Sequence, residues 1–207
     1  MSVTYNIAID GPAGAGKSTI AKLVAAKLGF IYVDTGAMYR AMALYFLENG
    51  IQPEDEAKVS AACGQIDISL RYQDGVQQVI LNGEDVSGKI RTEAVGNAAS
   101  VVSAYRAVRQ ALLALQQNLA KTSNVIMDGR DIGTCVLPEA QTKIYLTASS
   151  HVRAIRRYKE LTEKGQMCNL EEIEQDIIDR DYRDMHREIA PLTQAEDAVL
   201  LDSSALT

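Results

Sequence analysis

Short apolar runs alternate with longer segments of helical periodicity along most of the chain. Five of these runs predict strands: VTYNIAI (3–9), FIYV (30–33), NVIM (124–127), KIYLTA (143–148) and AVLL (198–201). The spacing of apolar residues predicts a helix from about Gly16 to Leu28 and a second helix over 37–50, which ends at a glycine. Strands that alternate with helices are typical of a parallel sheet covered on both faces. We therefore predict a three-layer, doubly wound α/β fold with a five-stranded parallel sheet, and ligands at the carboxyl ends of its strands.

The segment 66–86 breaks this alternation of strands and helices. IDISLRY (66–72) alternates apolar and polar residues, and VQQVIL (76–81) follows it. The dipeptides Asp74-Gly75 and Asn82-Gly83 after these two runs are strong signals for tight hairpin turns. The segment therefore predicts a small antiparallel β insertion between two helices. Its role stays open between a packing embellishment and a substrate-side function.

Composition narrows the class of protein. The 207 residues are 47% hydrophobic and 23% charged, as expected for one soluble globular domain with a substantial core. The net charge of −6 argues against nucleic acid polymers as partners, so any anion site must be a local cluster of arginine and lysine. Cys63, Cys135 and Cys168 form no C-x-x-C pair, which argues against a disulfide framework or a zinc site and favours a reducing cytoplasm. The sequence shows neither a secretion signal nor a run of about 18 apolar residues, so no membrane segment is expected.

The stretch GPAGAGKS (11–18) matches the pattern G-x-x-x-x-G-K-[ST]. Its glycines allow the backbone to turn tightly, with N–H groups that point inward at phosphate oxygens. Lys17 would place its charge on the β- and γ-phosphates, and the Ser18 hydroxyl would be a ligand of Mg²⁺. Because a predicted strand precedes the loop and a predicted helix follows it, the positive helix N-terminus adds to the anion site. The stretch therefore predicts a site for a nucleoside triphosphate and Mg²⁺.

A second group of polar residues lies in VIMDGRDIGT (125–134), at the end of a predicted strand. Asp128 suits the acidic partner that holds Mg²⁺ or its waters beside a phosphate loop, although Asp-Gly at a strand end is equally typical of a turn. Arg130 and Asp131 then place a fork of donors and an acceptor at the carboxyl end of the strand, where substrates bind. These two residues favour a functional site over a simple turn.

Arginines are concentrated in two helical segments between 150 and 190. In the first segment they lie at positions i, i+3 and i+4: Arg153, Arg156 and Arg157. The second segment carries charged residues at i, i+4 and i+7, with a further arginine at the margin: Arg180, Asp184, Arg187 and Arg183. Such a pattern usually indicates a solvated helix face, for which Asp181, Asp184 and Glu188 would supply intrahelical partners. Beside a phosphate loop, the alternative is a set of arginine clamps on a phosphoryl group.

The acceptor of that phosphoryl group is either an alcohol or a phosphate monoester. An alcohol would need a positioned base, whereas a monoester, with a second pKa of about 6, is already a dianion at neutral pH and needs only positive charge. His151 and His186 lie in the arginine-rich segments without a Ser, Cys or metal-ligand context, and we expect both at the surface. The arginines favour a phosphate acceptor, although Asp128 or Asp131 could serve as a base.

Seven stretches together resemble bacterial cytidylate kinases, the nucleoside monophosphate kinases for CMP and dCMP. They occur in the family's order and span essentially the whole chain: IDGPAGAGKST, VDTGAMYR, VSGKIRT, NAASVVSAYRAVRQALL, MDGRDIGT, ASSHVRAIRRY and DRDYRDMHREIAPL. The resemblance implies transfer of the ATP γ-phosphate to CMP or dCMP, in pyrimidine nucleotide metabolism, by a cytoplasmic monomer that uses Mg²⁺. The segment 66–86 of this chain is similar to the insertion that separates this family from adenylate kinases.

The resemblance also implies roles for individual residues. ATP would be held by the loop and by a lid: Gly11, Pro12, Ala13, Gly14, Ala15, Gly16, Lys17, Ser18, Thr19, Arg153, Arg156 and Arg157. The acceptor phosphate would lie among Thr35, Arg40, Arg130 and Arg187. The cytosine base would be read by Ser100, Arg109 and Asp131, and the sugar would be held by Arg180 and Asp184. The implied metal ligands are Ser18 and Asp128, and the implied catalytic residues are Lys17, Asp128, Arg130 and Arg187.

The resemblance further divides the single P-loop kinase domain, 1–207, into three regions. The core comprises 1–35, 122–148 and 190–207; the monophosphate-binding region with its β insertion is 36–121; the helical lid and arginine-rich helices are 149–189.

An acidic side chain at the base suits cytosine, because it accepts from the N4 amine, whereas uracil presents an oxygen there. A mobile lid would close over ATP and exclude water.

Two features depart from the family pattern. Thr35 stands where many members have serine, a change that keeps the hydroxyl. The chain ends at VLLDSSALT, where the family usually continues with another helix. We therefore expect either a truncated or a short member, with one sheet face less covered and the active site intact.

Two other functions also use a phosphate loop. A phosphoryl transferase acting on a small-metabolite hydroxyl would turn over an alcohol and no monophosphate. A nucleotide-operated switch of the GTPase type would carry an N-K-x-D guanine motif, and the sequence has none. It would also leave the arginine-lined acceptor site unexplained.

Overall fold

The computed structural model describes residues 4–206, which form one central sheet and one small sheet with helices around them. The strands are β1 (Asn6–Asp10), β2 (Ile31–Asp34), β3 (Ile68–Gln73), β4 (Val76–Leu81), β5 (Glu84–Asp85), β6 (Val125–Gly129), β7 (Thr142–Thr147) and β8 (Val199–Asp202). The helices are α1 (Lys17–Leu28), α2 (Thr35–Glu48), α3 (Glu56–Ala62), α4 (Glu93–Val102), α5 (Arg106–Thr122), α6 (Ser150–Glu163) and α7 (Leu170–His186). Short helical turns lie at Cys63–Gln65, Lys89–Arg91 and Ile132–Val136.

The central sheet is parallel, with the strand order β2-β6-β1-β7-β8, as the alternation of strands and helices predicted. β1 begins at Asn6, and the N–H of the preceding residue, Tyr5, donates to the Asn124 side chain at 2.8 Å. Val3, where the predicted strand began, lies outside the described residues. β1 and β2 end on aspartates, Asp10 and Asp34, and Asp128 pairs with Asp34 in the register of β6. Three aspartates therefore lie at the carboxyl edge of the sheet.

Both faces of this sheet are buried, because neighbouring residues of one strand enter different cores. Ala8 and Val33 belong to the larger apolar cluster, which they share with α2, α4 and α5. Ile7, Ile9 and Tyr32 belong to a second cluster, in which they pack against α1. The near-continuous apolar strands of the sequence are explained by this double coverage. The edge strand β8 differs, since Val199 and Leu200 are 66% and 57% exposed.

The segment 66–86 forms the predicted antiparallel meander, with the strand order β3-β4-β5. Both turns use two consecutive residues with positive φ, Asp74 (51°) and Gly75 (77°) in the first and Asn82 (47°) and Gly83 (89°) in the second. This conformation matches the twist of a hairpin and explains the preference for Asp-Gly and Asn-Gly. Its apolar face, which includes Val79, lies in the larger cluster with α2.

The second arginine-rich segment is helical only as far as His186, so the prediction that Arg187 continues one helix face is wrong. Arg187 has an extended ψ of 143°, and Pro191 follows shortly after. The Leu192 N–H donates to the Asp184 carbonyl at 2.8 Å and so satisfies one carbonyl at the helix end. The Arg187 guanidinium Nε donates to the Ala190 carbonyl at 2.7 Å. This local bond, together with tertiary contacts to the Ser103 hydroxyl and the Asp131 carboxylate at 3.4 Å each, fixes the side chain in place of helical periodicity.

Within residues 4–206, none of the helices combines the length and the apolar character that a membrane crossing needs.

Candidate active site

The chain between β1 and α1 forms a loop at the carboxyl edge of the central sheet. Gly11 has a φ of 146°, and a Cβ at this position would collide with the Leu146 carbonyl oxygen on β7. Gly16 has a φ of 90° and directly precedes the first residue of α1. Only glycine adopts these conformations readily, so the two glycines allow the loop to wrap around the start of the helix. Backbone N–H groups and a helix N-terminus at this place suit an anion.

Lys17 is the first residue of α1 and is only 6% exposed. Its ammonium donates to the Pro12 carbonyl at 2.8 Å, so it lies against the loop that precedes it. Burial, with a contribution from Arg130, lowers the pKa of Lys17 to about 7, although Asp128 and Asp10 act in the opposite direction. A nearby anion would favour the charged form of this lysine.

Asp128 receives hydrogen bonds from two hydroxyls. Ser18 donates to Oδ2 at 2.7 Å and Tyr32 donates to Oδ1 at 3.2 Å. Burial and the neighbouring Asp34 raise the pKa of Asp128, while Lys17 lowers it. A hydroxyl and a carboxylate are oxygen ligands of the kind that Mg²⁺ prefers, and Mg²⁺ commonly takes its other ligands from water and substrate phosphates. The pair Ser18 and Asp128 therefore fits a magnesium ion that also binds a nucleotide.

Next to this pair lies a cavity of about 210 Å³. All nine residues predicted to bind the acceptor nucleotide line it: Thr35, Arg40, Ser100, Arg109, Arg130, Asp131, Arg180, Asp184 and Arg187. Seven cationic side chains and four carboxylates are among the described lining residues, although the whole chain has a net charge of −6. The cavity is thus a local excess of positive charge, as an anionic ligand requires.

Two aspartates in the cavity are held by arginines from other elements. Asp131 forms an ion pair with Arg109 of α5, and Arg187 approaches its other oxygen at 3.4 Å. Asp184 of α7 accepts from the Arg130 Nε at 2.9 Å. Burial alone would lower the pKa of Arg130, but Asp184 and other carboxylates raise it above its usual value. The intrahelical pairing considered for Asp184 is therefore replaced by a tertiary ion pair.

Two buried polar atoms in the cavity have no hydrogen-bond partner among the described residues: the Arg180 Nε and the Ser100 Oγ. Burial and the charge of Arg130 lower the pKa of Arg180 to about 10. Burial also lowers the pKa of Arg40. Buried polar groups without partners are rare and unfavourable, so these two atoms indicate a polar ligand. An anionic ligand would also favour the charged forms of the two arginines.

A second cavity, of about 340 Å³, lies on the other side of the loop. The described lining residues are Gly14, Gly16, Lys17, Ser18, Thr19, Arg153, Arg156, Arg157 and Glu160. Gly14, Lys17 and Ser18 line both cavities. The two spaces therefore meet at the lysine and the hydroxyl that follow the glycine loop.

The three arginines of α6 have different surroundings. Arg153 is 4% exposed; it bonds the Ala148 carbonyl at 2.8 Å and the Ala13 carbonyl at 3.1 Å, and it pairs with Asp181 at 3.1 and 2.6 Å. The Arg156 guanidinium donates to carbonyls near the C-terminal end, at 2.7 Å for Ser203 and 3.0 Å for Leu206. Only Arg157, paired within the helix to Glu160 at 3.0 Å, matches the solvated-face interpretation. His151 and His186 are exposed, as predicted.

Several residues with a part in the site were missed by the sequence reasoning. Tyr39 and Arg91 line the acceptor cavity, and each lies in a stretch that resembles the family. The Tyr39 ring lies 5.7 Å from the Arg109 guanidinium. The Asp10 carboxylate accepts from two N–H groups, Ile132 at 2.8 Å and Gly133 at 2.7 Å, so it ties the segment after β6 to β1. Its position at the end of a strand, just before the glycine loop, was the available signal.

The sequence is similar to those of known proteins. The sequence profile of the family described as Cytidylate kinase matches residues 7–207. The cytidylate kinase of Caldicellulosiruptor bescii is 54% identical over 202 residues, which cover 98% of this chain and 89% of the relative. That of Lactobacillus johnsonii is 50% identical over 207 residues, which cover 100% of this chain and 90% of the relative. Among solved structures, the shikimate kinase of Bacteroides thetaiotaomicron has a TM-score of 0.46 at 15% identity and covers 96% of this chain and 86% of its own.

Proposed function

This chain belongs to the cytidylate kinase family, and from that premise we propose that it transfers the γ-phosphate of ATP to CMP or dCMP through the two adjoining cavities. The products are ADP and CDP or dCDP. One observation supports the use of both cavities: Gly14, Lys17 and Ser18 line each of them. A phosphoryl group passes between donor and acceptor oxygens that are roughly in line, so two nucleotide sites must meet at one point.

On the donor side, the loop 11–16 and the N-terminus of α1 would hold the triphosphate. Lys17 would leave its carbonyl partner, Pro12, for the β- and γ-phosphate oxygens. Ser18 and Asp128 would hold Mg²⁺ directly or through water, and the metal would neutralise charge on the transferred group. Arg156 and Arg157 of α6 line this cavity and would cover the triphosphate.

On the acceptor side, the monophosphate would lie among Thr35, Arg40, Arg130 and Arg187. A phosphate monoester has a second pKa of about 6, so its nucleophilic oxygen needs no base at neutral pH. The guanidinium groups would draw two anions together and stabilise the charge that spreads over the oxygens in the transition state. The Thr35 hydroxyl donates to the backbone carbonyl of Asp128 at 2.7 Å, so it connects the acceptor site to the residue whose carboxylate would hold Mg²⁺.

The cytosine base would be read by Asp131, whose carboxylate is held between Arg109 and Arg187. An ionised carboxylate accepts from the cytosine N4 amine and repels the O4 of uracil. The unpartnered Ser100 hydroxyl gives a second polar contact for the base, and Arg180 with Asp184 would hold the sugar hydroxyls. We further propose a cytoplasmic location, since Cys63, Cys135 and Cys168 are free thiols, as a reducing compartment maintains them. A monomer is proposed because residues of a single chain line both cavities.

A coupled assay of ADP release tests this function. Purified protein with ATP and Mg²⁺ is offered CMP, dCMP, UMP, AMP, GMP and small alcohols such as shikimate or gluconate. We expect fast turnover with CMP or dCMP, slower turnover with UMP, and none with the alcohols. Turnover with an alcohol but no monophosphate would reject the proposal, and omission of Mg²⁺ with added chelator measures the metal requirement.

A further inference from the structure

Gln77 of β4 connects the small sheet to the edge of the central sheet. Its side-chain oxygen accepts from the Asp34 N–H at 2.8 Å, and its side-chain nitrogen donates to the Asp34 carbonyl at 3.2 Å. β2, which Asp34 ends, is the outer strand of the central sheet. The primary amide therefore pairs with both backbone groups of Asp34, much as a neighbouring strand would.

The residue that Gln77 holds, Asp34, lines the acceptor cavity. The Asp34 carboxylate caps α2 by accepting from the Ala37 N–H at 2.9 Å, and it also accepts from Arg91 at 3.0 Å. Asp34 pairs in register with Asp128, and the next residue, Thr35, bonds the Asp128 carbonyl. Any displacement of Asp34 would therefore move the start of α2 and the groups that face the acceptor phosphate.

No described residue from 66–86 lines the acceptor cavity, so the small sheet acts on it only through residues such as Asp34. Its apolar contacts with α2, through Val79 and its neighbours, hold it in place without specifying a direction. Hydrogen bonds are directional, so the two bonds of Gln77 fix the register of the small sheet against the β2–α2 junction. Tyr72 lies opposite Gln77 in the β3–β4 register and therefore on the same face.

We propose that Gln77 is a positioning residue of the acceptor site: it holds the β2–α2 junction, and with it Thr35 and Arg40, at the position that binds the acceptor phosphate. The inference rests on the proposed function. It gives the β insertion a substrate-side role in place of a purely packing role. Gln77 acts through Asp34 and makes no contact with the nucleotide.

The test compares Gln77→Met with Gln78→Met. The two residues are neighbours of the same type on opposite faces of β4, and within residues 4–206 the Gln78 side chain bonds the small sheet alone, to Gln73 at 3.1 Å. Methionine keeps the length of the side chain and removes its hydrogen bonds. Gln77→Met removes both bonds to Asp34, and we expect the KM for CMP to rise about fivefold while the KM for ATP stays within about twofold. Gln78→Met should leave both constants unchanged.

Amide hydrogen exchange of Asp34, followed by NMR, provides a readout that does not depend on activity. Its N–H should exchange faster in Gln77→Met than in the wild type, with no change in Gln78→Met. Faster exchange with an unchanged KM for CMP would make Gln77 a packing contact only and overturn the inference. Equal increases in the KM for both nucleotides would overturn it as well.

The outcomes also separate this inference from the proposed function. A wild-type protein without CMP phosphorylation would reject the function together with the inference, whereas CMP phosphorylation that is equal in wild type and Gln77→Met rejects the inference alone. If Gln77→Met does not fold, as a melting curve would show, Gln77→Glu replaces it. A glutamate at this position cannot donate to the Asp34 carbonyl while ionised, so the KM for CMP should rise, and an unchanged KM would overturn the inference.

Discussion

The acceptor and donor cavities adjoin each other, but an arginine on the acceptor side and one on the donor side differ in their hydrogen-bond partners. On the acceptor side, Arg180 has a buried nitrogen without a protein partner among the described residues. On the donor side, Arg153 places its guanidinium on two carbonyls and one carboxylate of the protein. Both residues lie in arginine-rich helices, yet Arg180 leaves a nitrogen for a ligand and Arg153 joins structural elements. Spacing alone thus identifies a helix face, and the partners that face it decide the role.

Replacement of Lys17 should have the largest effect, because this residue belongs to both cavities. We expect Lys17→Met to lower kcat by about 10²–10³-fold, the effect of removing one preorganised electrostatic contact. Lys27→Met is the matched control, since Lys27 is exposed in the last turn of the same helix. Steady-state kinetics with CMP gives the rates, and circular dichroism checks the fold. A kcat within threefold of the wild type would contradict the donor assignment.

Replacement of Arg153 tests whether this arginine of the donor side has a structural role. Arg153→Met and Asp181→Asn each break a largely buried ion pair, with side chains 5% and 14% exposed, and should lower the free energy of unfolding by about 3 kcal/mol. The double variant should lose less than the sum of the two, because the partners are coupled. Arg157→Met, in the exposed pair with Glu160, should change stability by less than about 0.5 kcal/mol. Urea unfolding measures all four proteins, and additive losses would contradict the pairing.

Replacement of Asp131 tests the acceptor side. Asp131→Ala should lower kcat/KM for CMP relative to UMP by about 10–100-fold, since one base contact contributes about 1–3 kcal/mol of discrimination. The KM for ATP should stay the same, and Asp179→Ala, at an exposed position of α7, is the control. Unchanged selectivity in a folded variant would remove Asp131 from base recognition.

The smallest effect that we expect is the uptake of protons by Lys17, the lysine that lines both cavities, when ATP binds. The pKa of Lys17 is lowered by burial to about 7 in the free protein, from a usual value of 10.5. A bound triphosphate raises this pKa, so binding at pH 8 should take up a fraction of one proton, and ATP affinity should fall by at most tenfold between pH 7 and pH 8. Calorimetry in two buffers of different ionisation enthalpy measures the uptake. Lys17→Met should show none, and equal heats for the wild type in both buffers would contradict the prediction.

The local sequence was sufficient to predict the elements that depend on the spacing of apolar residues and on the residues of tight turns. The apolar runs predicted the five central strands, and Asp74-Gly75 and Asn82-Gly83 predicted both hairpins, because each signal is contained within a few residues. The glycine loop was readable for the same reason, since its spacing is itself the requirement for binding phosphate.

Contacts between distant segments were not readable in this way. Arg187 lies outside α7, and its guanidinium contacts Ser103 and Asp131, which are 84 and 56 residues away. The bond between Gln77 and Asp34 joins residues 43 apart, and no local pattern distinguishes Gln77 from Gln78. The partner of Asp184 is likewise Arg130, 54 residues away, although a neighbour on the same helix was available. These choices follow from tertiary packing, which overrides local spacing.

The hydrogen bond between Ser18 and Asp128 spans 110 residues, and the pair formed by Asp131 and Arg187 spans 56. Each half of the site therefore forms only when remote parts of the polypeptide have come together. A partly folded chain would bind nucleotides weakly, because these contacts are absent from it. Cellular ATP and CMP then act as selective ligands of the native state and shift the folding equilibrium toward it. A shortage of nucleotide would leave this enzyme more open to proteolysis as well as idle.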